Sequence, residues 1–230
     1  MTAGPGDPWL LAVDGIDGSG KSVLAEALVT ALERAGTRAA LLRVDDYRRP
    51  VDWKAAGRAE ADVYYEDYYD LRLLDDGVRA FLAGAPGVSL PVFDSAREIL
   101  AGERRVAFAG AAALVVEGVF VLRAPTVAAR GRALYLRTSF DEARRRILAR
   151  DSARGRTVAD VTHRIDARYF PAQERYLREH DPVAHAAVLV EHERLAAPSI
   201  ARLDTTRIAP SLQQAIESAL AAFAAPRAVR

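Results

Sequence analysis

Positions 15–22 match the phosphate-binding pattern G-x-x-x-x-G-K-[ST] with the residues Gly-Ile-Asp-Gly-Ser-Gly-Lys-Ser. An apolar run at 9–13 precedes the pattern, and apolar residues at helical spacing follow it over 24–35. In such a loop the glycines let backbone amides surround a phosphate, Lys21 reaches the outer phosphates, and the Ser22 hydroxyl can ligate Mg²⁺. The segment predicts nucleoside triphosphate binding, and the alternative is a glycine turn between packed elements. The expected nucleotide-binding residues are Gly15, Asp17, Gly18, Ser19, Gly20, Lys21, Ser22 and Val23.

Carboxylates follow two of the predicted strands, at the sheet edge where open α/β sheets bind their ligands. Asp45 and Asp46 come after the apolar run at 38–44, and Glu117 ends the run at 112–117. Phosphoryl transfer uses a carboxylate that accepts the proton of the attacking hydroxyl, and a second carboxylate can hold Mg²⁺ directly or through water. We therefore expect these side chains beside the phosphate loop. The alternatives are turn formers or helix caps for the aspartates, and a sheet-edge cap for Glu117.

Arginines are concentrated at 144–156. Ser139 and Glu142 form a capping box, so a helix is predicted to begin there. The acidic first turn of that helix can pair with Arg145 and Arg146, which we therefore expect on a solvated face.

Three further arginines lie at or past the predicted end of this helix, beside Gly155: Arg150, Arg154 and Arg156. A mobile lid at this position could place guanidinium groups on a transferring phosphate and exclude water. The alternative is a solvated, arginine-rich helix end.

Tyrosines 64, 65, 68 and 69 have a spacing that suits either the core face of a helix or ligand contact. The four histidines show no metal-binding spacing and are expected to be structural or surface residues. They are His163, His180, His185 and His192.

Apolar runs alternate with helical patterns along the chain, which indicates an α/β fold with helices on both faces of a parallel sheet. Strands are predicted at 9–14, 38–44, 112–117, 132–137 and 186–190. Helices are predicted at 68–83, 140–152, 158–178 and 211–224, in addition to the one after the phosphate loop. Short strand-like pieces at 88–93 and 104–108 predict a hairpin within 84–108. The expected organisation is one domain over 1–230, with a five-stranded parallel sheet and a lid at about 150–160.

The composition favours an enzyme of a reducing compartment without excluding others. Thirty-two basic and 31 acidic residues leave a net charge of +1, so no overall field favours nucleic acid or a membrane surface. The chain has no cysteine, and residues 1–8 lack the basic and apolar regions of an export signal. We expect a cytoplasmic protein that acts on a small molecule, binds neither nucleic acid nor membrane, and could form a homo-oligomer.

The order of these motifs resembles the uridine kinase and phosphoribulokinase branch of P-loop kinases, over roughly residues 9 to 195. The phosphate loop and the arginines of the lid are the more specific parts of the resemblance. Five weaker segments are similar to the family as well: V-D-D-Y-R-R-P at 44–50, Y-Y-E-D-Y-Y-D at 64–70, L-P-V-F-D at 90–94, V-E-G-V at 116–119 and R-Y-F-P at 168–171.

The resemblance implies the P-loop NTPase fold, ATP and Mg²⁺ as cofactors, and phosphoryl transfer to an alcohol. It implies catalytic roles for Asp45 as base and for Lys21, Arg150, Arg154 and Arg156, with Ser22 and Glu117 as Mg²⁺ ligands. The substrate-binding residues that it implies are Asp45, Tyr47, Arg48, Tyr65, Tyr69, Phe93, Asp94, Arg97, Glu117 and Tyr169.

The acceptor expected from the resemblance is the 5′-hydroxyl of a uridine- or cytidine-like nucleoside. The chain departs from the nucleoside kinases at 93–97, where Phe-Asp-Ser-Ala-Arg lacks their tyrosine hydroxyl and histidine, and at Arg48, where they carry tyrosine. A pantothenate-like or sugar acceptor is therefore an alternative. A P-loop switch protein is another, although a carboxylate base and an arginine lid suit acceptor phosphorylation better.

Overall fold

The computed structural model describes residues 8–54 and 57–224; positions 1–7 of the segment considered for an export signal, and residues 225–230, lie outside them. Within the described residues the main sheet has six strands. In spatial order they are β2 (Ala39–Arg43), β5 (Ala113–Glu117), β1 (Trp9–Gly15), β6 (Arg132–Arg137), β7 (Val188–Glu191) and β8 (Ser199–Leu203). The first five are parallel, which confirms the predicted strands and fold class.

The sixth strand, β8, was not predicted, and it pairs antiparallel with β7 at the edge of the sheet. The register shifts between Leu189 and Val190 of β7, so that Ile200 and Leu203 of β8 both pack against the apolar core. The shift breaks the alternation of apolar and polar residues that marks a half-buried strand, and the sequence pattern therefore missed it.

Both faces of the sheet are buried, because side chains along a strand alternate between them. In β1, Leu10 and Ala12 pack in one core, and Leu11 and Val13 pack in the other. The second core also holds α1 (Lys21–Arg34) and α9 (Pro210–Ala224), which contact each other.

The other α-helices are α2 (Glu60–Glu66), α3 (Leu71–Leu82), α4 (Pro125–Arg130), α5 (Phe140–Ala153), α6 (Val158–Arg164), α7 (Phe170–His180) and α8 (Pro182–His185). Short 3₁₀ turns at Val44–Tyr47 and Val121–Arg123 follow β2 and β5. In the described part of the chain, no helix combines the length and apolar character that crossing a membrane requires.

The helix predicted at 158–178 is interrupted by a π-helical turn at Ile165–Tyr169, between α6 and α7. Pro171 lies in the first turn of α7. Because proline has no N–H and its ring collides with the preceding turn, the wider π turn accommodates it. Beyond this interruption, Gln173 of α7 contacts Asp17 of the phosphate loop.

The predicted hairpin is present as β3 (Gly87–Asp94) and β4 (Ile99–Ala107), which form a separate two-stranded sheet. Leu90 of β3 packs in the core beneath it, whereas β4 is exposed over nearly its whole length. Arg104 of β4 forms an ion pair with Asp46, so the hairpin is attached to the turn that follows β2.

Candidate active site

A cavity of about 490 Å³ lies at the carboxyl ends of the parallel strands. Its wall includes Lys21 and Ser22 of the phosphate loop, Asp45 after β2, and Glu117 at the end of β5. Arg150 from the end of α5 also contributes to the wall. Groups that the sequence predicted from separate segments therefore share one cavity.

The phosphate loop joins β1 to α1 and has a left-handed backbone at Gly18 and Gly20, with φ of 78° and 98°. At Gly18 a Cβ atom would lie 2.7 Å from the carbonyl oxygen of Ala143, so any other residue would push the loop away from α5. Lys21 Nζ donates to the carbonyl oxygen of Ile16 at 2.9 Å. This bond holds the ammonium group across the loop, on the wall of the cavity.

Arg146 is packed against the phosphate loop at the cavity wall, not on the solvated face that the sequence predicted for it. Only 9% of its side chain is exposed, and its guanidinium group donates to the carbonyl oxygens of Gly18 at 3.3 Å and His192 at 2.7 Å. Glu142 pairs with it at 2.6 Å. These bonds to the loop carbonyls hold the backbone of the phosphate loop in one conformation. Arg145 does match the prediction, because 70% of its side chain is exposed.

His192, which follows β7, is fully buried against the same loop. Its Nδ1 lies 2.6 Å from the carbonyl oxygen of Ser19, and its ring packs on Phe223 of α9. Burial lowers the pKa of His192, so we assign the neutral ring with its proton on Nδ1, from where it donates to Ser19. The histidine is structural, as expected, and it supports the loop from behind.

Gln173 of α7 also holds the phosphate loop, and sequence analysis did not identify it. Its Oε1 accepts from the backbone N–H of Asp17 at 3.0 Å, and its Nε2 donates to Asp17 Oδ2 at 2.7 Å. The Tyr64 hydroxyl also donates to Asp17 Oδ2, at 3.0 Å. No sequence signal marks a glutamine far along the chain as a partner of the loop.

The two aspartates that follow β2 face different surroundings. Asp45 lies on the cavity wall, and its Oδ1 accepts from the Tyr69 hydroxyl at 3.2 Å. Asp46 pairs with Arg104 of the hairpin, and burial raises the pKa of its carboxyl against the effect of Arg104. The geometry therefore favours Asp45 over Asp46 as a base that meets a substrate.

Glu117 is a buried carboxylate beside the phosphate loop. Burial raises its pKa to about 7, against the opposing effects of Lys21, the Ser22 hydroxyl and Arg43. Arg43 Nε lies 3.5 Å from Glu117 Oε1, too far for a strong hydrogen bond. A buried carboxylate next to a hydroxyl fits Mg²⁺, which commonly takes one or two protein groups together with substrate phosphates.

The lid arginines of the sequence separate into two groups. Arg150 and Arg154 lie on the cavity wall, whereas Arg156 does not. Asp151 is buried and accepts from Arg150 at 2.7 Å and from Arg156 at 3.4 Å. Gly155 has a left-handed backbone, with φ of 87°, directly after α5. The segment is thus a turn that carries Arg154 beside the cavity.

Several expected substrate-binding residues surround Asp45. Arg48 Nε donates to the Asp45 carbonyl oxygen at 2.7 Å, and its guanidinium carbon lies 5.4 Å from the centre of the Phe93 ring. Tyr68 packs on Phe93, and Tyr169 packs on Tyr64. These contacts link Phe93 of the hairpin to Asp45 through Arg48.

Four other expected substrate-binding residues point elsewhere. Tyr47 is fully buried in the core, because the 3₁₀ turn directs its ring beneath α3. The Tyr65 hydroxyl donates to Glu179, away from the cavity. Asp94 caps the hairpin turn, accepting from the N–H groups of Ala96 and Arg97, and Arg97 itself is 75% exposed. The sequence resemblance could not predict that these four side chains are directed away from the cavity.

A parallel sheet with a phosphate loop after its central strand, and carboxylates at the ends of the neighbouring strands, defines a P-loop kinase. The sequence profile of the Phosphoribulokinase / Uridine kinase family matches residues 10–196 of the chain. The protein belongs to this family, and the resemblance stated for its motifs is confirmed.

Solved structures with the same fold include three kinases of different described substrates. A possible uridine kinase from Bacillus stearothermophilus is 23% identical with a TM-score of 0.62, over 82% of this chain and 90% of that one. A candidate fructose transport system kinase from Silicibacter sp. TM1040 is 20% identical with a TM-score of 0.64, over 77% and 88%. The phosphoribulokinase of Rhodobacter spheroides is 11% identical with a TM-score of 0.52, over 80% and 70%. At these identities the likeness shows the fold alone.

Proposed function

We propose that the protein is an ATP-dependent kinase that transfers the γ-phosphoryl group to the 5′-hydroxyl of a uridine- or cytidine-like nucleoside. One observation carries the proposal: the Asp45 carboxylate and the phosphate loop line the same cavity. Phosphoryl transfer to an alcohol needs this pair, a cradle for the donor phosphates and a base for the attacking hydroxyl.

The phosphate loop supplies the donor half of the site. The glycines of the loop and the N-terminus of α1 bind the phosphates of ATP, and Arg146 and His192 fix the loop by bonding to its carbonyl oxygens. Lys21 neutralises charge on the outer phosphates. Ser22 and Glu117 would hold Mg²⁺, which supplies further neutralisation of phosphate charge when it is bound.

The adenine ring packs against apolar side chains of the cavity wall. Leu195 and Ala149 contribute to this wall, and Leu195 exposes 58% of its surface. A large exposed leucine beside a phosphate loop is an apolar surface on which a base can pack.

Asp45 accepts the proton of the acceptor hydroxyl, and Tyr69 orients its carboxylate by donating to Oδ1. Arg150 and Arg154, which line the same cavity, meet the negative charge that develops on the transferred group. Arg48 and Phe93 form the acceptor side, where a cation and an aromatic ring lie beside the base.

A phosphorylated or free sugar, or a pantothenate-like alcohol, is the second candidate acceptor. Phe93 has no hydroxyl with which to bind a nucleobase edge, and Asp94 uses its carboxylate within its own turn. A site that lacks hydrogen-bonding partners for a base discriminates weakly in favour of that base.

The test is ADP release with ATP and Mg²⁺ across uridine, cytidine, other nucleosides, sugars and pantothenate. We expect uridine or cytidine to stimulate release by the natural protein and by Lys54→Ala, which alters an exposed lysine, but not by Lys21→Ala. Stimulation by a sugar or pantothenate alone would establish the second candidate. If no acceptor stimulates release, the kinase proposal is contradicted and a switch protein is favoured.

A further inference from the structure

Two carboxylates of the cavity wall, Asp45 and Asp17, are joined behind the wall by two tyrosine hydroxyls. The Tyr69 hydroxyl lies 3.2 Å from Asp45 Oδ1, and the Tyr64 hydroxyl lies 3.0 Å from Asp17 Oδ2. The two hydroxyls are 3.1 Å apart. Both tyrosines are buried and lie outside the wall, whereas both carboxylates belong to it. The four groups form one continuous chain of hydrogen-bonding distances.

The number of protons in this chain depends on the state of Asp45. The series has three contacts, Asp45 to Tyr69, Tyr69 to Tyr64 and Tyr64 to Asp17. Each contact needs one proton between its two oxygens. With both carboxylates ionised, the two hydroxyls supply two protons, so one contact lacks a proton. A third proton on Asp45 completes the chain, because Asp45 Oδ1 can then donate to Tyr69, Tyr69 to Tyr64, and Tyr64 to Asp17. The hydrogen-bonded series is therefore complete only while it holds one proton more than the two hydroxyl protons.

The surroundings keep the hydroxyls neutral and fix the far end of the chain. Burial raises the pKa of Tyr64 and of Tyr69, and the neighbouring carboxylates add to the effect. Each hydroxyl can therefore pass a proton on only by accepting another. Gln173 Nε2 donates to Asp17 Oδ2 at 2.7 Å and holds that oxygen in place.

Charged groups also lie near Asp45 and Asp17, the two ends of the hydrogen-bonded series. Arg48, Asp46 and Glu117 lie near Asp45, and the charge of Arg150 acts on Asp17.

On the basis of the proposed kinase function, we propose that Tyr69 and Tyr64 relay the proton of the acceptor hydroxyl from Asp45 to Asp17 during phosphoryl transfer. The acceptor oxygen bonds to the γ-phosphorus as its O–H bond breaks, and the proton goes to Asp45. The bond between the γ-phosphorus and the bridging oxygen of ATP breaks, and its electron pair leaves with ADP. Each tyrosine accepts one proton and donates one, so neither is changed. Asp17, on the cavity wall, then releases the proton to solvent.

Tyr64→Phe tests the relay, because the Tyr64 hydroxyl contacts Asp17 and Tyr69 but not Asp45. With ATP, Mg²⁺ and uridine, we expect its single-turnover rate to fall about tenfold, with the KM for ATP unchanged within about twofold. The dependence of the rate on the deuterium fraction of the water should be curved for the natural protein, where several protons move together. It should become linear in Tyr64→Phe.

Two companion variants complete the design. Tyr69→Phe should be at least as slow as Tyr64→Phe, because it also loses the bond that orients Asp45, and the double variant should be no slower than Tyr69→Phe, because the hydroxyls act in series. Tyr65→Phe is the matched control: it lies on the same helix, its hydroxyl donates to Glu179, and it should keep the natural rate. Thermal unfolding of all variants checks that they are folded.

A Tyr64→Phe variant with the natural rate and a curved deuterium dependence overturns the relay, even if Tyr69→Phe is slow, since Tyr69 would then only orient Asp45. Asp45→Asn, measured alongside, separates this from failure of the proposed function. If Asp45→Asn keeps the natural rate, the base assignment itself fails. If uridine does not accelerate ADP release, the acceptor assignment fails. The same variants are then compared in the hydrolysis of ATP without an acceptor, where the attacking water supplies the proton.

Discussion

Gln173 binds both the backbone N–H and the side-chain carboxylate of Asp17, although the two residues are 156 positions apart in the chain. The side-chain amide of Gln173 is buried, and it satisfies a donor and an acceptor of the phosphate loop at once. Because a buried N–H without a partner costs about 1–3 kcal/mol, this glutamine stabilises one conformation of the loop.

Gln173→Leu should therefore lower the free energy of unfolding by about 2–3 kcal/mol and raise the KM for ATP, because the loop loses two hydrogen bonds. Urea unfolding and steady-state kinetics measure the two effects. Gln214→Leu, on the exposed side of α9, serves as the control. Equal behaviour of the two variants would show that the bonds to Asp17 contribute nothing.

Arg145 and Arg146 are neighbours on the cavity wall that differ in exposure, and they form a matched pair for substitution. Arg146→Ala should reduce kcat/KM for ATP by at least about tenfold, because it removes the donor to the carbonyl oxygens of Gly18 and His192 and one of the two arginines that pair with Glu142. Arg145→Ala removes an exposed ion pair of small energetic value and should have a much smaller effect. Steady-state kinetics with ATP as the varied substrate would reveal the opposite ranking if the contacts of Arg146 with the loop were unimportant.

The two aspartates after β2 should differ in the same assay. Asp45→Asn should lower kcat by about a hundredfold or more with a modest change in the KM for ATP, because a base is lost. Asp46→Asn should affect stability more than kcat, since it weakens the ion pair with Arg104 of the hairpin. A larger kcat loss in Asp46→Asn would move the base to that residue.

Asp14, at the end of β1, links stability to pH. Burial raises its pKa from 3.8 to about 6, against hydrogen bonds from Tyr176 and the Gly15 N–H. Between these two values the folded state binds more protons than the unfolded state, so the stability contribution of Asp14 falls as pH rises from about 4 to about 6.

Asp14→Asn removes this dependence. The free energy of unfolding of the variant, relative to the natural protein, should rise by roughly 2–3 kcal/mol between pH 4 and pH 7. Urea unfolding at each pH measures how the difference in free energy of unfolding between the two proteins changes with pH. Any effect of the substitution that is independent of pH does not alter this change. A difference that does not change with pH would mean that Asp14 titrates alike in the folded and unfolded states.

The lid should act through Arg154, which lies beside the cavity, more than through Arg156, which is held by Asp151. Arg154→Ala is expected to reduce kcat more than it weakens binding of ATP alone, because the contact is made in the transition state. Tryptic cleavage near Gly155 should also slow when uridine and a non-hydrolysable ATP analogue are added together. Full turnover by Arg154→Ala, with cleavage indifferent to ligands, would identify a solvated helix end instead.

Local patterns in the sequence were sufficient to predict the phosphate loop, the five parallel strands and the hairpin. Each depends on near neighbours: glycines that permit a left-handed backbone, apolar runs that must be buried, and a turn between two short strands. The positions of Asp45 and Glu117 also followed, because the carboxyl ends of parallel strands meet at one edge of the sheet.

Tertiary structure alone decided which side chains complete the site. Gln173, His192 and Arg146 reach the phosphate loop from segments far along the chain, and their spacing carries no mark of that contact. Tyr47 and Tyr69 are both tyrosines near Asp45, yet one ring lies in the core and the other hydroxyl meets the carboxylate. Such differences arise from the packing of whole helices and turns, which sets side-chain directions that residue type and spacing do not encode.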